Sequence, residues 1–231
     1  MHNIAHPNIR GKSVGWEKTF FIFLIVFIIS FAYAIVRYTV IRNVSFENVP
    51  LFIANKSIAL TATILIGLSY ILGPLTRISR KHFERHLYLR KHIGISGFAV
   101  AALHAFMSLA LLSPAYYPKF FDAATGKMTF IGETSMLAGI LAFLIFAVIS
   151  ITSLPPIERH MHKDQWKLVQ RLGYAAYVLV LLHVAVMGFR GWMNPESYKY
   201  GFASISLIAA LVIVLVLVMR VLVMAMSNKR H

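Results

Sequence analysis

The sequence predicts an all-α integral membrane protein, a six-helix transmembrane bundle, on three observations. Of its 231 residues 58% are hydrophobic and only 13% charged, whereas charged residues make up about a quarter of a soluble domain. The apolar residues fall into six runs, each long enough to cross a hydrocarbon core of ~30 Å at 1.5 Å per residue. The charges between the runs are one-sided: six spans place sixteen Lys/Arg and four Asp/Glu on the face with both termini, against seven and four on the other. By the positive-inside rule both termini are cytoplasmic. The formal charge of +15 is therefore read as topology and contact with the lipid bilayer, with no nucleic acid partner.

Residues 1–18 form a polar, basic N-terminal segment, residues 19–226 the membrane domain and residues 227–231 a cytoplasmic tail. The first span runs from Thr19 to about Ile41; Ala32-Tyr33-Ala34 has the small-residue pattern of a signal cleavage site, yet the apolar run continues past it, so an uncut anchor is expected. The second, Leu51 to Pro74, is interrupted by Asn55 and Lys56 and carries Thr61, Thr63, Gly67 and Ser69, small residues that admit close neighbours. Gly73-Pro74 is expected to end it. Leu75 to Lys91 is a basic loop with room for a short interfacial helix. The third span, about His92 to Leu112, is followed by the aromatic belt Tyr116, Tyr117, Phe120 and Phe121 and by the longest loop, Asp122 to Gly132, a candidate cap. Spans four (Thr134 to Leu154), five (Leu172 to Arg190) and six (Gly201 to Met226) complete the bundle.

Two histidines lie deep in these spans. His104 is fourteen residues beyond Arg90 and His183 twelve beyond Arg171, which puts both roughly 18 to 21 Å from the basic edge. An unpartnered imidazole in hydrocarbon is costly. Equal depth on spans three and five suits haem ligation, one imidazole on each face of the iron; two histidines that merely cross-link helices are the other reading. Zinc normally asks for three or four ligands. The sequence has no cysteine, which excludes thiolate metal sites, iron–sulfur clusters and haem attached through Cys-x-x-Cys-His. His82 and His86 have the i, i+4 spacing of a helical metal pair, but their neighbours are cationic and a solvated, lipid-facing loop is expected.

The run Arg90-Lys91-x-Ile93-Gly94 with His104 ten residues on, then Thr152-Ser153, Trp166-Lys167 and Gln170-Arg171-Leu172-x-Tyr174 with His183, resembles the ferric-reductase-like transmembrane domain. Gly67 to Leu75, GLSYILGPL, fits the same family, and the similarity covers roughly residues 50 to 190. Within the family the chain looks most like the YedZ/MsrQ type, the haem-bearing membrane subunit of periplasmic methionine sulfoxide reductase systems. The resemblance implies a cytochrome b with haem between helices 3 and 5, His104 and His183 as axial ligands, in a bacterial inner membrane. It also implies a flavin (FMN) or quinone site at the cytoplasmic face, with Arg90, Lys91 and Arg171 toward its phosphates and Trp166 or Tyr174 against its ring.

Relatives with two stacked haems carry a second histidine about thirteen residues inward on each of these helices. Here the inward positions hold His92, about 120° around the helix from His104, and Gln170, a poor iron ligand. One haem b is therefore expected, with His92 snorkelling to the interface and Gln170 free to bond a ring carbonyl. The expected function is electron transfer from a cytoplasmic flavin reductase or membrane quinol, through haem, to a periplasmic reductase subunit or other acceptor at the outer face. No Gly-x-Gly-x-x-Gly fingerprint occurs, so an electron-transfer subunit is expected rather than a complete enzyme. A ferric or oxygen reductase component is the alternative within redox chemistry; a haem-free transporter or scaffold is the alternative of another class, disfavoured by the scarcity of intramembrane charge and of internal repeats.

Overall fold

The computed structural model describes residues 9–228, with side chains from Gly15 to Ser227. Parts of the expected terminal segments, residues 1–8 and 229–231, lie outside that range. Six long helices account for the six spans: α1 (Ile9–Ala34), α2 (Ala54–Ile78), α3 (Leu89–Ala110), α4 (Phe130–Thr152), α5 (Lys163–Trp192) and α6 (Ile205–Asn228). Among the described residues the only β pairing is an isolated bridge between Phe121 and Met128. The protein is a multi-pass membrane protein whose six spans are all helical, as the apolar runs require, because a helix satisfies its own backbone polar groups in lipid.

Helix α2 is the hub. Of its span 61% is buried, against 11% for α3, and it packs against α1, α3 and α6, while α4 pairs with α5. The small and hydroxylated residues of α2 make this possible: Ser57, Thr61 and Thr63 return their hydroxyls to the carbonyls of Ile53, Ser57 and Ala59 four residues back, so their polar groups are spent locally. Gly97 of α3 sits on the α2 backbone, where an added Cβ would come within 3.0 Å of the Ile66 nitrogen. Tyr177 of α5, 1% exposed, donates its hydroxyl to the Thr63 carbonyl and joins Ile66, Tyr70, Phe146, Ile213 and Val216 in the main core.

Several helix ends depart from the sequence expectation, beginning with α1, which starts at Ile9, ten residues before the expected Thr19. Pro74 does not end α2; the helix continues to Ile78, with Thr76 Oγ1 bonding the Leu72 carbonyl at 2.8 Å and Ser79 N closing on the Leu75 carbonyl. A proline forfeits one hydrogen bond, and a buried turn against neighbours tolerates that loss. Helix α5 starts at Lys163, nine residues before the expected Leu172, because Lys163 to Arg171 is helical yet too polar to register as a span. The basic loop after α2 does hold a short helix, Arg80–Phe83.

One end of the bundle, the basic end, carries the segments 79–88 and 153–162. The opposite end carries the segments 41–53, 111–129 and 193–204.

Candidate functional site

Helices α3 and α5 scarcely touch each other directly: α3 leans on α2 and α5 on α4. Each of these two helices carries one of the deep histidines, and each histidine is hydrogen-bonded to a neighbouring helix. His104 Nδ1–H donates to Asn55 Oδ1 of α2 at 2.8 Å, with Ser108 Oγ at 3.4 Å. His183 Nδ1–H donates to the Ser135 carbonyl of α4 at 2.8 Å, with Ser135 Oγ at 3.1 Å. A main-chain carbonyl can only accept, so the proton of a neutral His183 sits on Nδ1 and the Nε2 lone pair is left free. Asn55 presents Oδ1 to His104 while its Nδ2 donates to Ser108 Oγ (2.9 Å) and Tyr117 Oη (3.1 Å), an arrangement that puts the His104 proton on Nδ1 as well.

Space at His183 comes from Gly139, one turn beyond Ser135 on α4, where a Cβ would stand 3.0 Å from Nδ1. Two imidazoles on separate helices, each with Nδ1 engaged by a hydrogen bond, are the donor set a b-type haem takes, and the residues fit that group. Among the described residues, no three His, Asp or Glu side chains converge anywhere.

At the basic end a cavity of about 310 Å³ opens beside the same two helices, near the lower limit of ~300 Å³ for cofactor pockets. Arg90, Lys91, Trp166 and Gln170 all line it, with Ser69, Tyr70, Phe98 and Ser153. Gln170 Nε2 donates to Ser153 Oγ (3.0 Å) and weakly to the Ile149 carbonyl (3.4 Å), and its Oε1 is left uncommitted. The Trp166 indole N–H is buried and has no hydrogen-bond partner among the described residues. Lys91 forms an ion pair with Glu158 at the cavity's rim.

Arg171 and Tyr174 stand outside the cavity. Arg171 is exposed, because it follows Gln170 by one residue and so points about 100° away. Tyr174 packs edge-on against Tyr70, ring centroids 5.0 Å apart, under the Arg220 guanidinium at 5.1 Å. His92 turns away from the slot altogether: its ring meets Trp16 of α1 edge-on at 4.8 Å and its Nδ1 bonds the Tyr88 carbonyl at 3.0 Å.

Sequence reasoning missed Asn55, Ser135, Gly139 and Glu158. Asn55 left a trace, being a lone amide in an apolar run; Ser135 acts mainly through its backbone, which no side-chain pattern reveals.

The family described as "Ferric reductase like transmembrane component" matches residues 58–181, just over half of the chain. The chain belongs to this family. The match includes His104 and stops two residues short of His183. Among curated proteins this ferric-reductase-like chain is similar to "Metalloreductase STEAP2" of Mus musculus and of Homo sapiens, each 23% identical over 213 residues, covering 79% of this chain and 43% of the relative. It is also similar to "Metalloreductase STEAP3" of Rattus norvegicus, 24% identical over 219 residues, covering 80% and 44%. The chain thus spans less than half the length of these relatives. A membrane electron-transfer role follows from the family; its finer form does not.

Proposed function

We propose that this protein is a membrane cytochrome b that carries electrons from a donor at the basic, cytoplasmic face to an acceptor at the opposite face through one haem. The observation that carries the reading is the matched pair His104 and His183, on separate helices and at one depth by the helical rise, each with Nδ1 hydrogen-bonded to an acceptor of a neighbouring helix. The haem would supply a reversible one-electron step. Asn55 and Ser135 hold the imidazoles in the ligating tautomer, and the surrounding apolar helices exclude water.

The cavity at the basic end supports a second carrier, a flavin such as FMN or a quinone. Its uncommitted Trp166 N–H and Gln170 Oε1 offer one donor and one acceptor to a polar ring edge, and Arg90 offers charge to a phosphate or carboxylate. The haem slot lies roughly 18 Å from this face by the helical rise, a gap that such a carrier shortens.

For the acceptor, the Arg90-to-His183 motif series supports a periplasmic methionine sulfoxide reductase subunit of the YedZ/MsrQ type, in a bacterial inner membrane. The relatives named metalloreductases favour a second reading, reduction of ferric ions at the outer face. Reduction kinetics with each acceptor separate the two.

The test of the cytochrome is spectroscopic. Purified protein should show a reducible Soret and α band at a haem-to-polypeptide ratio near one. His104→Ala and His183→Ala should each insert in the membrane and lose that spectrum, and either variant keeping it intact would remove the axial pair.

A further inference from the structure

The two histidines are held by chemically different acceptors. That of His183 is the Ser135 main-chain carbonyl, which has no donor form and cannot turn. That of His104 is the Asn55 side-chain amide, which has an acceptor end and a donor end. Whether His104 can ligate a metal thus depends on which end of Asn55 faces it. With Oδ1 toward the ring, the proton is on Nδ1 and Nε2 carries a lone pair. With Nδ2 toward the ring, Nδ1 must accept, the proton moves to Nε2, and that nitrogen cannot bind a metal.

Asn55 is 2% exposed, at a depth where a buried amide is costly unless its hydrogen bonds are made. In this structure they are made with Oδ1 toward His104 and with Nδ2 toward Ser108 Oγ and Tyr117 Oη. Ser108 lies four residues after His104 on α3, so it shares the histidine's face and anchors the amide beside it. Tyr117 comes from the segment beyond α3, at the non-basic end, where its ring stacks on Phe120 with centroids 5.5 Å apart. Two parts of the chain, α3 and the segment beyond it, therefore converge on one amide of α2.

We propose that Asn55 is the positioning residue of the haem site: it fixes His104 in the Nδ1-protonated form and, through that hydrogen bond, sets the electron donation of His104 to the iron and so the haem's midpoint potential. This rests on the cytochrome reading above. A hydrogen bond accepted from Nδ1–H makes the imidazole a stronger donor, which favours ferric over ferrous iron. Its loss shifts the potential upward. At His183 the accepting group is a main-chain carbonyl, which no side-chain substitution removes.

The experiment uses the full chain in detergent or nanodiscs, loaded with haem and titrated potentiometrically at the α band, with ferric electron paramagnetic resonance as the second readout. Asn55→Leu should keep its haem, raise the midpoint by the equivalent of about tenfold in the ferric–ferrous equilibrium, ~59 mV for one electron, and change the ferric g values. Tyr117→Phe, which frees one end of the amide, should shift the midpoint in the same direction by less. Thr76→Val, which removes a hydroxyl that bonds only the Leu72 carbonyl of its own helix, should leave it in place. Haem-loaded Asn55→Leu with unchanged midpoint and g values would overturn the proposal.

If Asn55→Leu fails to assemble, Tyr117→Phe carries the test, and an unshifted midpoint there counts against the proposal. Haem-free protein labelled with 15N-histidine supplies a readout independent of the cofactor. The His104 resonances, assigned by their absence in His104→Ala, should report Nδ1–H in the wild type and lose that preference in the Tyr117→Phe or Asn55→Leu protein. Wild-type protein that takes up no haem sinks the cytochrome reading, and a His104 resonance showing Nε2–H sinks the role of Asn55.

Discussion

A histidine in hydrocarbon is defined by what its non-ligating nitrogen touches, and here a glycine decides whether it can touch anything. Gly139 leaves the room that the His183 ring occupies: a Cβ there would lie 3.0 Å from Nδ1 and 3.3 Å from Cε1. Gly139→Val should push the imidazole off the Ser135 carbonyl and cost the protein its haem, read as loss of the reduced-minus-oxidised spectrum at unchanged expression. Gly191→Val, where a Cβ meets nothing within 4 Å, should leave the spectrum untouched. At the basic end the residue-level claim concerns Arg90. It lines the cavity while Arg171 does not, so Arg90→Ala should slow haem reduction from that face severalfold and Arg171→Ala should not, in stopped-flow measurements with a quinol or reduced flavin as donor. Equal effects would make both residues elements of topology alone.

Among the elements, α2 and the segment joining α3 to α4 make the sharpest claims. Close approach of α2 and α3 depends on Gly97, whose missing side chain admits the Ile66 backbone. Gly97→Leu forces the helices apart, and overpacking of that kind costs ~1–3 kcal/mol; thermal unfolding followed by circular dichroism should show a lowered midpoint, with haem content falling as α3 carries His104 outward. Between α3 and α4, Asp122 accepts hydrogen bonds from Thr125 N (2.8 Å), Thr125 Oγ1 (2.9 Å) and Ala124 N (3.1 Å). The Thr125 backbone and side-chain bonds hold its carboxyl below the ordinary 3.8. A depressed carboxyl stabilises its turn fully above that ordinary value and loses the contribution as pH falls through the lowered one. The Phe121 to Met128 turn should therefore loosen as pH falls below the ordinary carboxyl value, seen as a Thr125 amide resonance that titrates with a midpoint below 3.8. A midpoint at or above 3.8 would mean that those bonds do not form in solution.

For the whole molecule, the sequence by itself determined the architecture. Six apolar runs and the shortage of charge admit helices spanning a bilayer and nothing else, since lipid offers no partner for an exposed backbone. An expectation of depth also comes from the chain alone, because helical rise is fixed and His104 and His183 are counted from Arg90 and Arg171 without knowing any contact. The motif order from Arg90 to His183 sufficed to indicate the family.

Only the tertiary structure decided what stands behind each histidine and which basic residues meet. Asn55 is forty-nine residues from His104, and Ser135 is forty-eight from His183. Such pairings depend on the rotation of each helix about its axis and on which helices are neighbours, and hydropathy measures neither. The same holds for Lys91 and Glu158, sixty-seven residues apart, and for Gln170 entering a cavity that its neighbour Arg171 does not reach. Depth along a helix is a property of the chain's own geometry, whereas direction around it is settled only when other helices bury one face and leave the rest to lipid.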